Sequence, residues 1–139
     1  MKTVSDIMIS NVLTVKTSDS IHQARMLLKD RGIRHLPVVD DKTGCFVGLL
    51  SQRSLLNYSF NIIEKFGMSG LEKRELRTQI KEIMSMDCIT VEPSIDLIKA
   101  GELFITKKVS CLPVIEGQQL VGIVTSVDFV KLALVLLKA

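Results

Sequence analysis

The chain has few of the residues that catalysis or covalent scaffolding would require. Its 139 residues include two histidines and three cysteines. His22 lies in a helix-like stretch and His35 before a strand-like one, and neither belongs to a Ser-His-Asp or Cys-His arrangement. No glycine-rich phosphate loop follows a strand, so an enzyme is not expected. Cys45, Cys88 and Cys111 form no Cys-x-x-Cys pair and none neighbours a histidine, which argues for plain thiols and against a four-ligand metal site. No run approaches the ~20 apolar residues of a bilayer span, so no membrane insertion is expected. The start of the chain lacks a signal-like apolar stretch, which points to the cytoplasm. Basic residues are spread out: 18 Lys and Arg stand against 15 Asp and Glu, with no basic tail that would make nucleic acid a partner.

What the chain does contain is a repeat. Sliding the sequence against itself by roughly 76 positions brings two long stretches into register. Asp6-Ile7-Met8 falls on Glu82-Ile83-Met84, and Leu13-Thr14-Val15 on Ile89-Thr90-Val91. The stretch Ile33 to Asp40, with its Leu36-Pro37-Val38, falls on Val109 to Glu116, with its Leu112-Pro113-Val114. After a shorter turn in the second copy, Val47 to Ser51 falls on Val121 to Thr125.

Each copy has the same pattern. A β-branched run, Leu13 to Val15 or Ile89 to Val91, leads to Ser18 or Ser94 as the expected helix N-cap. The helix that follows carries Ile21, Ala24, Leu27 and Leu28, matched by Leu97, Ala100, Leu103 and Phe104, an amphipathic stripe. Two apolar strands joined by a turn come next, then a last helix from near Ser51 or Thr125. The expected fold class is α/β (α+β), with two pseudo-symmetric β-α-β-β-α repeats packed together as one module. The boundaries are 4–60 and 80–137, with a helical linker over 61–79. Its charged part, Glu64 to Gln79, is expected to be solvated, with a break at Gly67 to Gly70. The apolar stretch Phe129 to Leu137 needs a cover, either within the module or in an interface between chains.

The sharpest local motif is Gly122-Ile123-Val124-Thr125-Ser126-Val127-Asp128. Thr125 with Asp128 three residues on fits a capping box. The same arrangement suits a nucleotide, since a helix N-terminus attracts phosphate and a carboxylate can accept from both ribose hydroxyls. Residues alone leave both readings open.

The doubled Leu-Pro-Val strand and the Gly-x-x-Thr-x-x-Asp motif resemble a tandem pair of cystathionine-β-synthase (CBS) domains, a Bateman module, over nearly all of the chain but the linker. The resemblance implies that adenosine ligands such as AMP, ADP, ATP or S-adenosylmethionine bind in clefts between repeats and alter the action of an effector protein. It implies that Asp128 holds the ribose, and Thr125 or Ser126 the ribose or phosphate. Segment 5–10, including Ser5 and Ser10, and Ile33 would flank the base, with Arg34 and His35 near the phosphates; Pro37, Gly122 and Ile123 complete the lining. It also implies a homodimer.

The first repeat departs from the pattern, because Ser54 stands where the ribose-binding Asp is expected and Ser110 and Cys111 replace Arg34 and His35 opposite it. One competent site per chain is therefore expected. Arg53 is open between a solvated residue and a phosphate contact. The competing function is a dimerisation scaffold without a tight ligand, motivated by Ser54 and the apolar C-terminal helix.

Overall fold

The computed structural model describes residues 2–139, in two compact units. One is continuous, Leu13–Asp87; the other is composite, joining the segment that ends at Val12 to Cys88–Ala139. Both combine helices with antiparallel strand pairs, giving the α+β class that the pattern implied.

The continuous unit contains β1 (Val15–Lys16), α1 (Ile21–Arg31), β2 (His35–Val39), β3 (Phe46–Ser51), α2 (Gln52–Phe66) and α3 (Leu71–Arg77). Its sheet runs β1-β2-β3, with β1 parallel and β3 antiparallel to β2. Helix α1 is capped by Ser20: Ser20 Oγ accepts from the Gln23 N–H at 3.1 Å, and Gln23 Oε1 accepts from the Ser20 N–H at 2.7 Å. Ser18 was expected in that role. The residue three beyond Ser18 is Ile21, which is fully buried and cannot reciprocate a cap, whereas Ser20 has Gln23 in that place. Ser18 instead donates its N–H and hydroxyl to the Asp41 carboxylate. Ile21, Ala24 and Leu28 turn into a core with Leu36, Val38, Leu50 and Leu55. At the helix end Gly32 takes φ +60°, where only glycine is unstrained, and its N–H donates to Leu28 and Lys29 carbonyls.

The linker keeps Glu64, Lys65, Lys73 and Arg77 exposed, as a solvated connector should, and departs from that expectation at Glu75. The break at Gly67 to Gly70 is present as a 3-10 turn over Met68–Gly70, but α3 then docks on α1 and α2. Glu75 is 3 % exposed and pairs with Arg25, whose guanidinium also donates to Ser59. The Arg74 guanidinium stacks 3.3 Å over the Phe66 ring, and Tyr58 bonds Thr78 at 2.9 Å. A buried carboxylate needs a paired cation, and Arg25 on α1 supplies it.

The composite unit contains α4 (Leu97–Thr106), β4 (Cys111–Glu116), β5 (Gln119–Thr125) and α5 (Ser126–Lys138), with β4 and β5 antiparallel. Asp96 caps α4 through the Ile98 N–H at 2.7 Å, in place of the Ser94 expected. The strand expected over Ile89 to Val91 shrinks to one parallel bridge, Val91 to Val114, with bonds of 3.1 and 2.8 Å. The next bond of that ladder would need an N–H at Pro113, which has none. Pro37 limits β1 in the same way, so it pairs over Val15–Lys16 and not back to Leu13.

Each unit completes its core with the opening segment of the other repeat. Val4, in a 3-10 turn over Val4–Asp6, is fully buried among Val91, Leu97, Leu112, Val114 and Val124. Ile80, in the matching turn Ile80–Glu82, is fully buried among Ile21, Leu36 and Leu50. Helix α5 rests on this core through Phe129, whose ring meets Phe104 edge-on at 5.5 Å. The chain leaves much of the rest of that helix uncovered, with Leu137 81 % exposed. Among the described residues, no helix is long and apolar enough to cross a membrane.

Candidate functional site

In the composite unit, Thr125 ends β5 in an extended conformation and is the N-cap of α5. Asp128, three residues on, is 8 % exposed. Its Oδ2 accepts from the Thr125 N–H at 2.8 Å and from Thr125 Oγ1 at 3.3 Å. The capping contact foreseen from spacing is therefore made, and both bonds use one carboxylate oxygen. The first N–H groups of the thirteen-residue α5 lie beside it, a setting that favours negative charge. Ser126, the first residue of the helix, is exposed.

Gly122 and Ile123 support this turn from β5. Ile9 and Ile123 exchange two backbone bonds, both 2.9 Å, which lay the opening segment along the strand. That approach requires a glycine: a Cβ at Gly122 would stand 2.5 Å from Met8 Sδ and 3.1 Å from the Ile9 carbonyl oxygen. Ser10 follows, exposed. Cys111 faces Thr125 across the β4–β5 pairing and is buried. Burial, then Cys88 and Asp128, pushes its thiol up to about 12.

Ser5 is placed elsewhere in the same unit. Its N–H donates to the Pro93 carbonyl at 3.0 Å and its hydroxyl bonds Thr3 at 2.8 Å. It lines an open pocket of about 380 Å³ with Thr3, Pro93, Ser94 and Gly117. That pocket lies at the turn end of the β4–β5 hairpin, whereas Thr125 pairs with Cys111 at the other end. Glu92 and Glu116 in its wall disfavour a phosphate there, since like charges repel.

The remaining candidates belong to the continuous unit. The turn at Gly32 delivers Ile33, which packs at the core edge, and then Arg34, which is exposed. His35 opens β2 opposite Ser51, and the Arg34 carbonyl accepts from the Gln52 N–H at 2.8 Å, fixing both beside the start of α2. Burial first, and then the Arg34 charge, holds the His35 imidazole below its ordinary pKa. Pro37 is buried opposite Leu49. At the turn matching Thr125 to Asp128, Ser54 Oγ bonds the Ser51 carbonyl at 2.8 Å and accepts from the Ser51 N–H at 3.1 Å. Ser54 thus makes the cap but offers no carboxylate.

The structure brings Thr125, Ser126 and Asp128 to one end of the β4–β5 hairpin, has Ser10 follow the Ile9–Ile123 bridge beside Gly122, sets Ser5 at the opposite end, and carries Ile33, Arg34, His35 and Pro37 on the other unit. The contribution of Met8 was not read from sequence. The signal for it was present, because Met8 and Met84 are equivalent and press on the equivalent glycines Gly122 and Gly48.

The family model for the CBS domain matches residues 4–61 and 80–134. Among solved structures, CBSX2 in complex with AMP is 31 % identical, with TM-score 0.80 and 98 % of each chain covered. The CBS domain pair of protein MJ0100 in complex with 5-methylthioadenosine and S-adenosyl-L-methionine is 26 % identical, with TM-score 0.73 and 94 % of each chain covered. A homoserine O-acetyltransferase from Methanohalobium evestigatum is 32 % identical over 93 % of this chain but 24 % of its own length. The chain spans between about a quarter and a third of the first curated relatives it matches.

Proposed function

This chain belongs to the CBS domain family, and on that premise we propose that it is a regulatory module that binds an adenosine-containing ligand and passes its occupancy to a partner protein. The observation that carries the reading is the Asp128 carboxylate at the start of α5. It is held through Oδ2 by its own cap, which orients the group and leaves Oδ1 for ribose hydroxyls. Thr125, Ser126 and the first N–H groups of α5 are the proposed neighbours of ribose and phosphate. Arg34 and His35 are the proposed cationic contacts; a guanidinium bonds phosphate in a bidentate, charge-assisted way. The ligand chemistry of the AMP and S-adenosylmethionine complexes of the related structures supports the class.

No residue is assigned to catalysis. The proposed output is a change in a partner's behaviour, and the exposed apolar face of α5, with Val130, Leu134 and Leu137, supports pairing of two chains as part of it. The serine pair Ser51–Ser54 supports a single site per chain.

A thermal-unfolding panel with AMP, ADP, ATP, S-adenosylmethionine and NADH tests the ligand class. A ligand that binds only the folded chain stabilises it by about 2.7 kcal/mol at a hundredfold excess over Kd. At least one adenosine compound should raise the unfolding temperature and adenine-free controls such as ribose 5-phosphate should not. A flat response to every compound would favour a scaffold that pairs chains without a ligand.

A further inference from the structure

The segments that lead into α1 and α4 fold alike. The Asp19 N–H donates to the Lys16 carbonyl at 3.0 Å, and the Ile95 N–H to the Glu92 carbonyl at 3.1 Å. The Lys81 N–H donates to the Thr17 carbonyl at 3.1 Å, and the Ser5 N–H to the Pro93 carbonyl at 3.0 Å. Ser18 and Ser94 therefore hold equivalent places, each beside the turn of its own hairpin. In the first repeat that place binds a carboxylate. Asp41, from the β2–β3 turn, accepts from Thr17 Oγ1 at 2.6 Å, from the Ser18 N–H at 3.1 Å and from the Ser18 hydroxyl. The Ser18 hydroxyl first, then Thr17, the Ser18 N–H and the Lys16 charge, hold that carboxyl down to about 2.

The second repeat keeps the serine and lacks the carboxylate. Gly117, at φ +66°, stands in the place of Asp41, and a Cβ added to it would meet nothing within 4 Å. The open pocket of about 380 Å³ lies there, at the small end of the roughly 300–1,000 Å³ of organic-ligand sites. The Ser94 N–H and hydroxyl have no partner among the described residues. The charges differ as well, since Lys16 and Lys81 of the first repeat are replaced by Glu92 and Ser5. Glu92 and Glu116 are exposed in the pocket wall, and neither pairs with a cation among the described residues. An anion on Ser94 must then bring its own cation, because the two glutamates repel an anion alone.

We propose that this pocket binds a free α-amino acid, with its carboxylate on the Ser94 N–H and hydroxyl, as Asp41 lies on Ser18, and its ammonium against Glu92 and Glu116. Pro93 and Ile115 give its side chain an apolar wall. The pocket and the Thr125–Asp128 turn are at opposite ends of one hairpin, so this site stands independently of whether the turn binds an adenosine ligand.

The test is an amide-resolved NMR titration of the full chain with the L-α-amino acids, one at a time. At least one should shift the Ser94 and Gly117 amides saturably while leaving those of Thr125 to Asp128 in place. Its methyl ester, which lacks the carboxylate, and its N-acetyl derivative, which lacks the ammonium, should each bind about tenfold more weakly or worse. Glu92→Gln combined with Glu116→Gln changes exposed side chains only, so the amide spectrum should otherwise persist while affinity for the same amino acid falls about tenfold or more. No saturable shift with any amino acid, shifts centred on Thr125 to Asp128, equal binding of the methyl ester, or full affinity in the double variant would overturn the proposal.

Discussion

Val4 and Ile80 occupy matching places in the two repeats, and each is fully buried in the core built by the other repeat. The exchange ties each opening segment to strands far away in sequence. Replacing Ile80 by Ala leaves a cavity in a close-packed core and should cost about 2–5 kcal/mol in urea unfolding. Deleting residues up to Val12 should unfold the composite unit, measured by loss of amide protection over β4 and β5, because the Val4 N–H also donates to Ile95 and the Ile9 N–H to Ile123. Retained protection would contradict the exchange.

Gly48 and Gly122 are both approached by an opening segment, but by different atoms. A Cβ at Gly48 would lie 2.7 Å from the Ser85 carbonyl oxygen, which is backbone. At Gly122 the nearest atom is the Met8 sulfur, on a flexible side chain, with the Ile9 carbonyl farther away. Alanine at either place should destabilise by about 1–3 kcal/mol, with Gly48→Ala the costlier. Shortening the methionine tests the difference: Met8→Ala should recover part of the Gly122→Ala loss, measured as a double-mutant cycle.

Glu75 binds the connector to α1. Removing one partner of a buried ion pair costs about 3–5 kcal/mol, and the partial exposure of Arg25 sets the expectation at the lower end of that range. Glu75→Ala should lower stability accordingly and raise hydrogen exchange throughout α3. An unchanged midpoint in denaturant would mean that the helix is held by other contacts.

His35 couples stability to pH. Its folded pKa lies below the ordinary value of 6.5, so between the two the unfolded chain binds more protons. Its contribution is complete above about pH 6.5 and is lost as pH falls through the folded pKa. An NMR titration should place the His35 imidazole below 6.5. Arg34→Ala should move it upward, because that charge is one of the two causes of the shift.

The repeat, the helix faces and the apolar hairpins were legible because periodicity and self-similarity are properties of the chain itself. Thr125 and Asp128 were legible for the same reason: a cap acts over three residues. What sequence did not disclose depends on contacts across long separations. The helix starts at Ser20 and Asp96 were each displaced by two residues from Ser18 and Ser94: at the first two serines compete and the reciprocating Gln23 decides, and at the second the Asp96 carboxylate takes the Ile98 N–H. The short β1 and the lone Val91 bridge follow from prolines on the neighbouring strand, and those matter only once pairing is known. Glu75 reads as a solvated charge until Arg25, fifty residues away, is placed against it.

The central claim is that Asp128 binds a ribose besides capping α5, and calorimetric titration of AMP into the chain and its Asp128→Asn and Asp128→Ala variants separates these roles. Asparagine can still accept the Thr125 N–H, so it should keep the helix cap while losing the charged acceptor for the ribose hydroxyls; alanine should lose both, at a stability cost of about 1 kcal/mol. The account predicts binding at about one AMP per chain, weakened at least tenfold in Asp128→Asn with its unfolding temperature nearly unchanged. Equal affinity in the parent and in Asp128→Asn would contradict it and leave Asp128 as a helix cap alone.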